Sequence, residues 1–216
     1  MKRIALAALT LSLCSCQTAP ESTSNKDYAA LAAAEVARHT ISNDNVYGFE
    51  PEGQYSQTLP LLDTRKESVG TVYRLADQKN AYDWVDVTVD ETGTIIRLQF
   101  FKRAHTNVGW QNFLDQAYME LKTKYKAVQR NGDRDTTELT VYVAGNEVEW
   151  KQRYIQYLQL MDEPNNLGAQ NCWILHPHLN LIHAVIKRQS DGATLSIDYQ
   201  TKKYAEALKR QAPPAK

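Results

Sequence analysis

The sequence has little of several features that define protein classes. Its 216 residues include only three cysteines, which excludes a scaffold held by many disulfides. The 25 basic and 25 acidic side chains cancel, so there is no excess of cations for neutralising phosphates. This balance argues against a nucleic-acid binder of the simple electrostatic kind. The nine glycines are scattered singly and form no phosphate-binding loop.

Catalytic motifs and long apolar runs are missing as well. GxSxG, SxxK, CxxC and HExxH do not occur, so the sequence favours a non-catalytic role without deciding the question. After residue 16 no stretch approaches 18 apolar residues, and no later transmembrane helix is predicted. The composition, 43% hydrophobic and 23% charged, is typical of a globular chain.

The N-terminus has the pattern of a secretory signal. Lys2 and Arg3 precede the mostly apolar residues 4–13, and small or cysteine residues follow. A helix over this apolar stretch is only about 15 Å long, half the hydrocarbon core of a bilayer. We therefore predict a cleaved signal peptide over residues 1–15.

The end of this signal, Leu13-Cys14-Ser15-Cys16, resembles the lipobox of bacterial lipoproteins. The resemblance covers residues 1–16 and implies cleavage before Cys16, which then carries acyl chains such as palmitate. Gln17 differs from the Asp that usually retains lipoproteins in the inner membrane, so outer-membrane anchoring with the domain facing the periplasm is implied. Two or three acyl chains hold a protein firmly, whereas one does not. The alternative is a soluble periplasmic protein.

Cleavage changes the charge and the cysteine count. Loss of Lys2 and Arg3 leaves 23 basic and 25 acidic side chains, so the membrane hold is expected to come from acyl chains. With Cys16 acylated, Cys172 has no intramolecular disulfide partner and is expected to be a buried apolar side chain. Residues 16–26 are expected to be the lipidated cysteine and a flexible tether.

The remaining chain predicts an α+β fold, an antiparallel sheet with helices packed on one face. Residues 27–70 are expected to be an N-terminal segment, with an Ala-rich helix at 27–39 and loop with irregular pieces at 42–68. Residues 71–212 form the α+β domain, followed by a tail at 213–216. Two strand-turn-strand-helix units are expected at 85–125 and 181–211, because apolar residues alternate along the strands and recur every three or four residues along the helices.

The middle of the domain is ambiguous. Residues 139–150 alternate around Gly145-Asn146, which predicts a second hairpin. Residues 154–161 fit a helix or a strand, and we favour the strand.

A histidine-rich segment is the best candidate metal site. His176, His178 and His183 fall within eight residues, close to Cys172, and His-x-His in a strand directs both rings to one face. They predict a zinc site and, as the alternative function, a metal-assisted envelope hydrolase acting through His176 and His178. The other interpretation is a loop-to-strand junction with partly exposed histidines, since Pro177 disfavours a regular inner strand.

Two further groups have both structural and functional interpretations. Asp86 is either a general acid/base carboxylate or the solvent face of a half-buried strand. An aromatic group either builds the core or binds a partner, because such residues are enriched at interfaces. Its members are Tyr142, Trp150, Tyr154, Tyr157 and Trp173, of which the last four are the predicted partner-binding residues.

The sequence thus predicts a membrane-anchored envelope lipoprotein that binds a protein partner or envelope component without catalysis. An inhibitor or immunity-type protein and an assembly accessory are both compatible with it. No cofactor is expected unless the zinc site forms.

Overall fold

A computed structural model of the chain describes residues 26–42, 45–76, 82–106, 109–133, 135–163 and 170–211. The helices in these ranges are α1 (Tyr28–His39), α2 (Gly109–Tyr125), α3 (Glu147–Met161) and α4 (Lys202–Gln211). The strands are β1 (Leu61–Glu67), β2 (Gly70–Ala76), β3 (Trp84–Val89), β4 (Ile95–Ala104), β5 (Gln129–Gly132), β6 (Thr136–Ala144), β7 (Trp173–Leu175), β8 (Leu179–Gln189) and β9 (Gly192–Thr201).

The predicted α+β class is confirmed. The strands form a single nine-stranded sheet in the order β1-β2-β3-β4-β9-β8-β6-β5, with β7 added beside β6. Every pairing is antiparallel except that of β6 with β7. Both predicted strand-turn-strand-helix units are present, as β3-β4-α2 and β8-β9-α4, and they meet where β4 pairs with β9.

The main core lies between one sheet face and α2. Alternation along each strand places every second side chain on this face, and the helix supplies a stripe at three- and four-residue spacing. The strand contribution includes Val85, Val87, Leu98, Phe100, Ile197 and Tyr199, and the helix contributes Phe113, Leu114, Ala117, Leu121 and Tyr125.

Charged side chains occupy the opposite face of the sheet. Asp86 is 1% exposed and accepts hydrogen bonds from Arg74 at 2.8 and 2.9 Å and from Arg65 at 3.0 Å. The prediction that Asp86 lies on a solvent face is therefore wrong, because the arginine side chains beside it on β1 and β2 cover it. Farther along this face, Arg97 pairs with Asp198 and donates to the Tyr204 hydroxyl of α4.

The hairpin predicted across 139–150 is wrong. Gly145-Asn146 ends β6, but the chain then enters α3, because the Asn146 side chain caps the helix by accepting the Glu149 amide at 2.9 Å. The preference for a strand at 154–161 is wrong for the same reason. The recurrence of aromatic residues at 150, 154 and 157 is the period of a helix.

The loop predicted over residues 42–68 is wrong at residues 61–67. They form β1, which pairs with β2 and so forms a hairpin across the predicted boundary between residues 70 and 71. Apart from two leucines the strand is polar and almost entirely exposed, and apolar alternation was absent for that reason.

The turn between β8 and β9 brings two strand ends close together. Gly192 adopts φ 149°, and a Cβ at this position would collide with the Ala104 carbonyl oxygen at the end of β4. Glycine is therefore required where the second unit approaches the first.

Loss of the Arg97–Asp198 pair is expected to destabilise the junction of the two units. Asp198→Ala leaves a largely buried guanidinium without its carboxylate, so we expect the free energy of unfolding to fall by about 3 kcal/mol. Asp191→Ala is the matched control, because it removes the 2.9 Å pair with Arg103 at the exposed end of the same two strands. That change is expected to lower the free energy of unfolding by less than about 1 kcal/mol. Equal losses in urea unfolding curves would contradict this account.

Candidate functional site

A small aromatic layer is formed where α1 and α3 meet β7, and its rings are those of His39, Trp150 and Tyr154. Trp150 is fully buried, and its indole N–H donates to the Trp173 carbonyl at 3.0 Å. The His39 ring of α1 stacks on Trp150 at 5.3 Å between centroids, and the Tyr154 ring lies on Trp150 at 4.8 Å. Trp150 is therefore a core residue that fixes the backbone of β7.

An open groove lies beside this layer, between α3 and α4. Its floor is the stacked pair of Tyr142 and Trp173, whose ring centroids are 5.0 Å apart, and both rings are partly exposed. We call this the aromatic groove. Its volume is about 440 Å³, and its lining includes Tyr142, Trp173, Glu149, Leu181, Lys202 and Lys209.

The predicted partner-binding residues divide between the layer and the groove. Trp173 lines the groove, with the Arg153 guanidinium 4.8 Å from its ring centroid. Trp150 lies beneath, and Tyr154 and Tyr157 continue the ring stack along α3, 5.5 Å apart. The sequence placed Tyr142 in the same aromatic group but not among the predicted partner-binding residues, and the parallel pairing of β6 with β7 makes it the neighbour of Trp173.

The charges around the aromatic groove are compensated unequally. Glu149 accepts the Gly145 amide at 2.9 Å and lies 4.0 Å from Arg153, while Glu206 lies 3.8 Å from Arg210. Lys202 and Lys209 form no ion pair within the part of the chain that the structure describes. Above the aromatic floor the lining thus has two glutamates with partners of their own and two lysines without an ion pair among the described residues.

The three histidines of the predicted zinc site have different local partners. His176 is buried, and its Nδ1 accepts the amides of His178 and Leu179 at 3.1 and 3.0 Å. His178 Nδ1 lies 3.1 Å from Glu52, and His183 Nε2 lies 3.6 Å from Glu138 on β6. Burial, followed by the charges of His178 and two lysines, lowers the pKa of His176 to about 4, so this ring is neutral over most of the pH range.

A metal site would need three or more donors close together. Among the described residues no group of three or more His, Cys, Asp or Glu side chains has that arrangement. Cys172 is a free thiol and is only partly buried, although burial raises its pKa. The zinc site stays a prediction from the sequence.

A second polar cluster, which sequence reasoning missed, lies where α2 meets the sheet. Glu120 accepts the Tyr82 hydroxyl at 3.1 Å through Oε2, whereas its Oε1 is buried with no hydrogen-bond partner among the described residues. Burial raises the pKa of Glu120 from 4.5 to about 7, and Lys124 partly offsets this rise. Burial also lowers the pKa of Lys124 and raises that of Tyr125 beside it.

The only sequence signal for this cluster was ambiguous. Glu120 and Lys124 are four residues apart on α2, a spacing that usually indicates a solvated ion pair. Their burial depends on Tyr82 and other residues distant in sequence, so the helix pattern alone does not reveal it. A carboxyl with a raised pKa is a common feature of functional sites, but it also occurs in structural clusters.

Glu120 predicts a specific pH dependence of stability. Its folded pKa lies above the unfolded value, so the native state binds the extra proton, and stability declines as pH rises from 4.5 to about 7. Glu120→Gln mimics the protonated acid. We expect it to raise the free energy of unfolding by up to about 3 kcal/mol near pH 8 and by little near pH 4.5.

Glu91→Gln is the control for this prediction, because Glu91 is an exposed turn residue. Urea unfolding measured across this pH range should show no comparable gain for the control. A Glu120→Gln protein with the wild-type pH profile would show that Glu120 does not cause the decline.

The predicted lipidation site, Cys16, lies outside the described residues, as does the predicted signal before it. Within the described ranges, no helix combines the length and apolar character needed to cross a bilayer. No protein-family model, curated protein or solved structure matches this chain.

Proposed function

We propose that the protein is a lipid-anchored envelope protein that binds a protein partner in the aromatic groove without catalysis. The observation that carries this proposal is the open Tyr142–Trp173 pair on the floor of the groove. A buried stack would serve the core alone, whereas here two large rings remain accessible between helical walls. Aromatic side chains in such positions are the usual anchors of protein interfaces.

The charges of the groove indicate the chemistry of the partner. Lys202 and Lys209 project from α4 beside the aromatic floor, and the acidic residues nearby have cationic or amide partners of their own. A partner segment with carboxylates next to an aromatic or apolar side chain would complement both features. The Arg153 guanidinium above the Trp173 ring adds a further cation for such a segment.

The fixed position of the groove supports binding to a preformed surface. Trp150 holds the Trp173 carbonyl from below, and Asn171 accepts the Trp173 amide at 3.1 Å and donates to its carbonyl at 3.3 Å. The backbone under the exposed ring is therefore held by three hydrogen bonds. Preorganisation of this kind lowers the entropic cost of binding.

The lipid anchor supports the envelope location in this proposal. Residues 16–26 separate the predicted acylated cysteine from the first described residue, and this stretch spans at most about 35 Å when extended. Such a tether would hold the groove close to one membrane while allowing it to reach a partner there. Inhibition of an envelope enzyme or toxin and assistance to an envelope assembly both fit these requirements.

Removal of the exposed indole tests the groove directly. We expect Trp173→Ala to reduce crosslinking to a partner about tenfold or more in intact cells, as for interface hot spots. Lys209→Glu should reduce the same crosslinked species by reversing the charge of one wall. Quantitative mass spectrometry of crosslinked full-length protein measures both effects.

Trp84→Ala is the matched control for Trp173→Ala. Trp84 is also a partly exposed tryptophan, stacked on Phe101 at 5.2 Å, with the Arg74 guanidinium 5.3 Å from its ring. The two variants should lose similar stability, about 2 kcal/mol each, but Trp84→Ala should keep the crosslinked species. Equal loss of that species in both variants would contradict a role for the groove.

The anchor is tested independently of the groove. We expect Cys16→Ala to abolish incorporation of labelled palmitate and to prevent normal processing, because the thiol that carries the first acyl chain is lost. Cys14→Ala is the control and should be lipidated like the wild type, since it keeps Cys16 and places a small residue before Ser15. Labelling of Cys16→Ala at the wild-type level would exclude lipidation at this residue.

A further inference from the structure

The strand β1 forms an open edge of the sheet. In the described residues its sole strand partner is β2, and six of its seven residues are exposed. Leu61 and Leu62 are 45% and 58% exposed, which is unusual for leucines in a sheet. An open edge strand offers unpaired backbone groups to another strand.

The backbone alternation identifies the groups that point outward. Glu67 and Gly70 close the two-residue turn between β1 and β2 as a hydrogen-bonded pair, so alternation from Glu67 turns Arg65 and Asp63 toward β2 and Thr64 toward the free edge. The Thr64 amide donates to the Asp63 carboxylate at 2.8 Å there. Residues two apart in a strand face the same way, which places Lys66 on the same edge. The Ala76 amide donates to the Pro60 carbonyl on the inner side. The pairing of β1 with β2 shifts register between Leu61 and Asp63, so residue 60 and residue 64 face opposite ways although they are an even number of residues apart.

The side chains of β1 are complementary to a second copy of the same strand. With two copies antiparallel and Thr64 on a two-fold axis, Asp63 of each lies opposite Arg65 of the other. This register places no like charges opposite each other. The Thr64 pair and the two Asp63–Arg65 pairs lie in the regular part of the strand, Asp63 to Glu67, whereas Leu61 and Leu62, at the register shift, come opposite Glu67 and Lys66. Thr64 faces Thr64 as a hydrogen-bonded pair, as the outward alternation requires.

Other registers with the same alternation are less favourable. A shift of two residues in one direction places Asp63 opposite Asp63, and the same shift in the other direction places Arg65 opposite Arg65. Like charges opposite each other destabilise a strand pair, whereas opposite charges contribute about 0.2–1 kcal/mol each. The charge pattern therefore selects the register centred on Thr64.

We propose that β1 pairs with β1 of a second copy of this chain, antiparallel about a two-fold axis at Thr64. The pairing joins two nine-stranded sheets edge to edge. The Thr64 amide then donates to the partner strand, and the Asp63 carboxylate accepts from Arg65 of the second copy. Arg65 keeps its Nη2 bond to Asp86, which positions the guanidinium at the edge. The proposal is independent of the lipid anchor and leaves the aromatic groove, near the other edge of the sheet, accessible.

A cysteine on the axis tests the register. In the full-length chain with Cys172→Ala, Thr64→Cys brings two thiols together, because the Cα atoms of a hydrogen-bonded antiparallel pair lie about 5.5 Å apart. We expect a disulfide-linked dimer after mild oxidation of intact cells. Lys66→Cys is the control on the same edge, since its two copies would lie about 14 Å apart along the strands and should not crosslink.

A charge exchange tests the partner. In the Thr64→Cys chain, Asp63→Arg alone and Arg65→Asp alone each place like charges opposite each other, so each should lose most of the crosslinked dimer. Co-expression of the two variants with different tags restores both opposite-charge contacts. The mixed dimer should therefore return to near the level of the Thr64→Cys chain that carries no charge change. Recovery in the mixture also shows that the single variants are folded.

Three results would overturn the proposal. The first is no dimer from Thr64→Cys, and the second is equal crosslinking of Thr64→Cys and Lys66→Cys, which indicates random collision. The third is a mixed dimer no more abundant than the dimers of the single charge variants. Each result can be obtained whether or not the aromatic groove binds a partner.

Discussion

The antiparallel pairing of β4 with β9 is the contact on which the rest of the architecture depends. Its register runs from Arg97–Gln200 to Ala104–Ala193, and it joins strands about a hundred residues apart in sequence. Both faces of the junction are closed, by Phe100 and Tyr199 beneath α2 on one side and by the Arg97–Asp198 pair on the other. Closing the long chain segment between β4 and β9 costs conformational entropy, and the contacts of the pairing must offset this cost. The sheet would otherwise be two separate halves.

The same junction determines where binding surfaces can lie. It places α4 over the polar face, where Tyr204 meets Arg97, and so α4 forms one wall of the aromatic groove. The groove and the β1 edge then lie toward opposite sides of the sheet. The proposed partner of the groove and the proposed second copy at β1 would therefore not compete for the same side chains.

The parts of the fold that sequence predicts are those built by local periodicity. Val85, Val87 and Val89 alternate beside a turn, and Phe113, Ala117 and Leu121 repeat along a helix, so the two units were predicted well. The strand β1 lacks apolar alternation because it lies at the edge, and α3 was obscured by a Gly-Asn pair that also suits a hairpin. The aromatic cluster was visible in the sequence as a concentration of Trp and Tyr residues. The groove beside it and the burial of Glu120 could not be predicted, because both arise from contacts between strands and helices that are distant in sequence.

The N-terminal end of the described chain is attached at the far end of α3. Lys26 lies 2.6 Å from Asp162, and the Tyr28 hydroxyl donates to the same carboxylate at 2.8 Å. From there α1 runs back to β7, where Thr40 bridges to Leu175, and its His39 covers Trp150. A mechanical pull on the preceding chain would therefore load these contacts in sequence and shear α1 along α3 before stretching any central strand. Once α1 detaches, the His39 ring no longer covers Trp150, whose indole holds the Trp173 carbonyl beneath the floor of the groove.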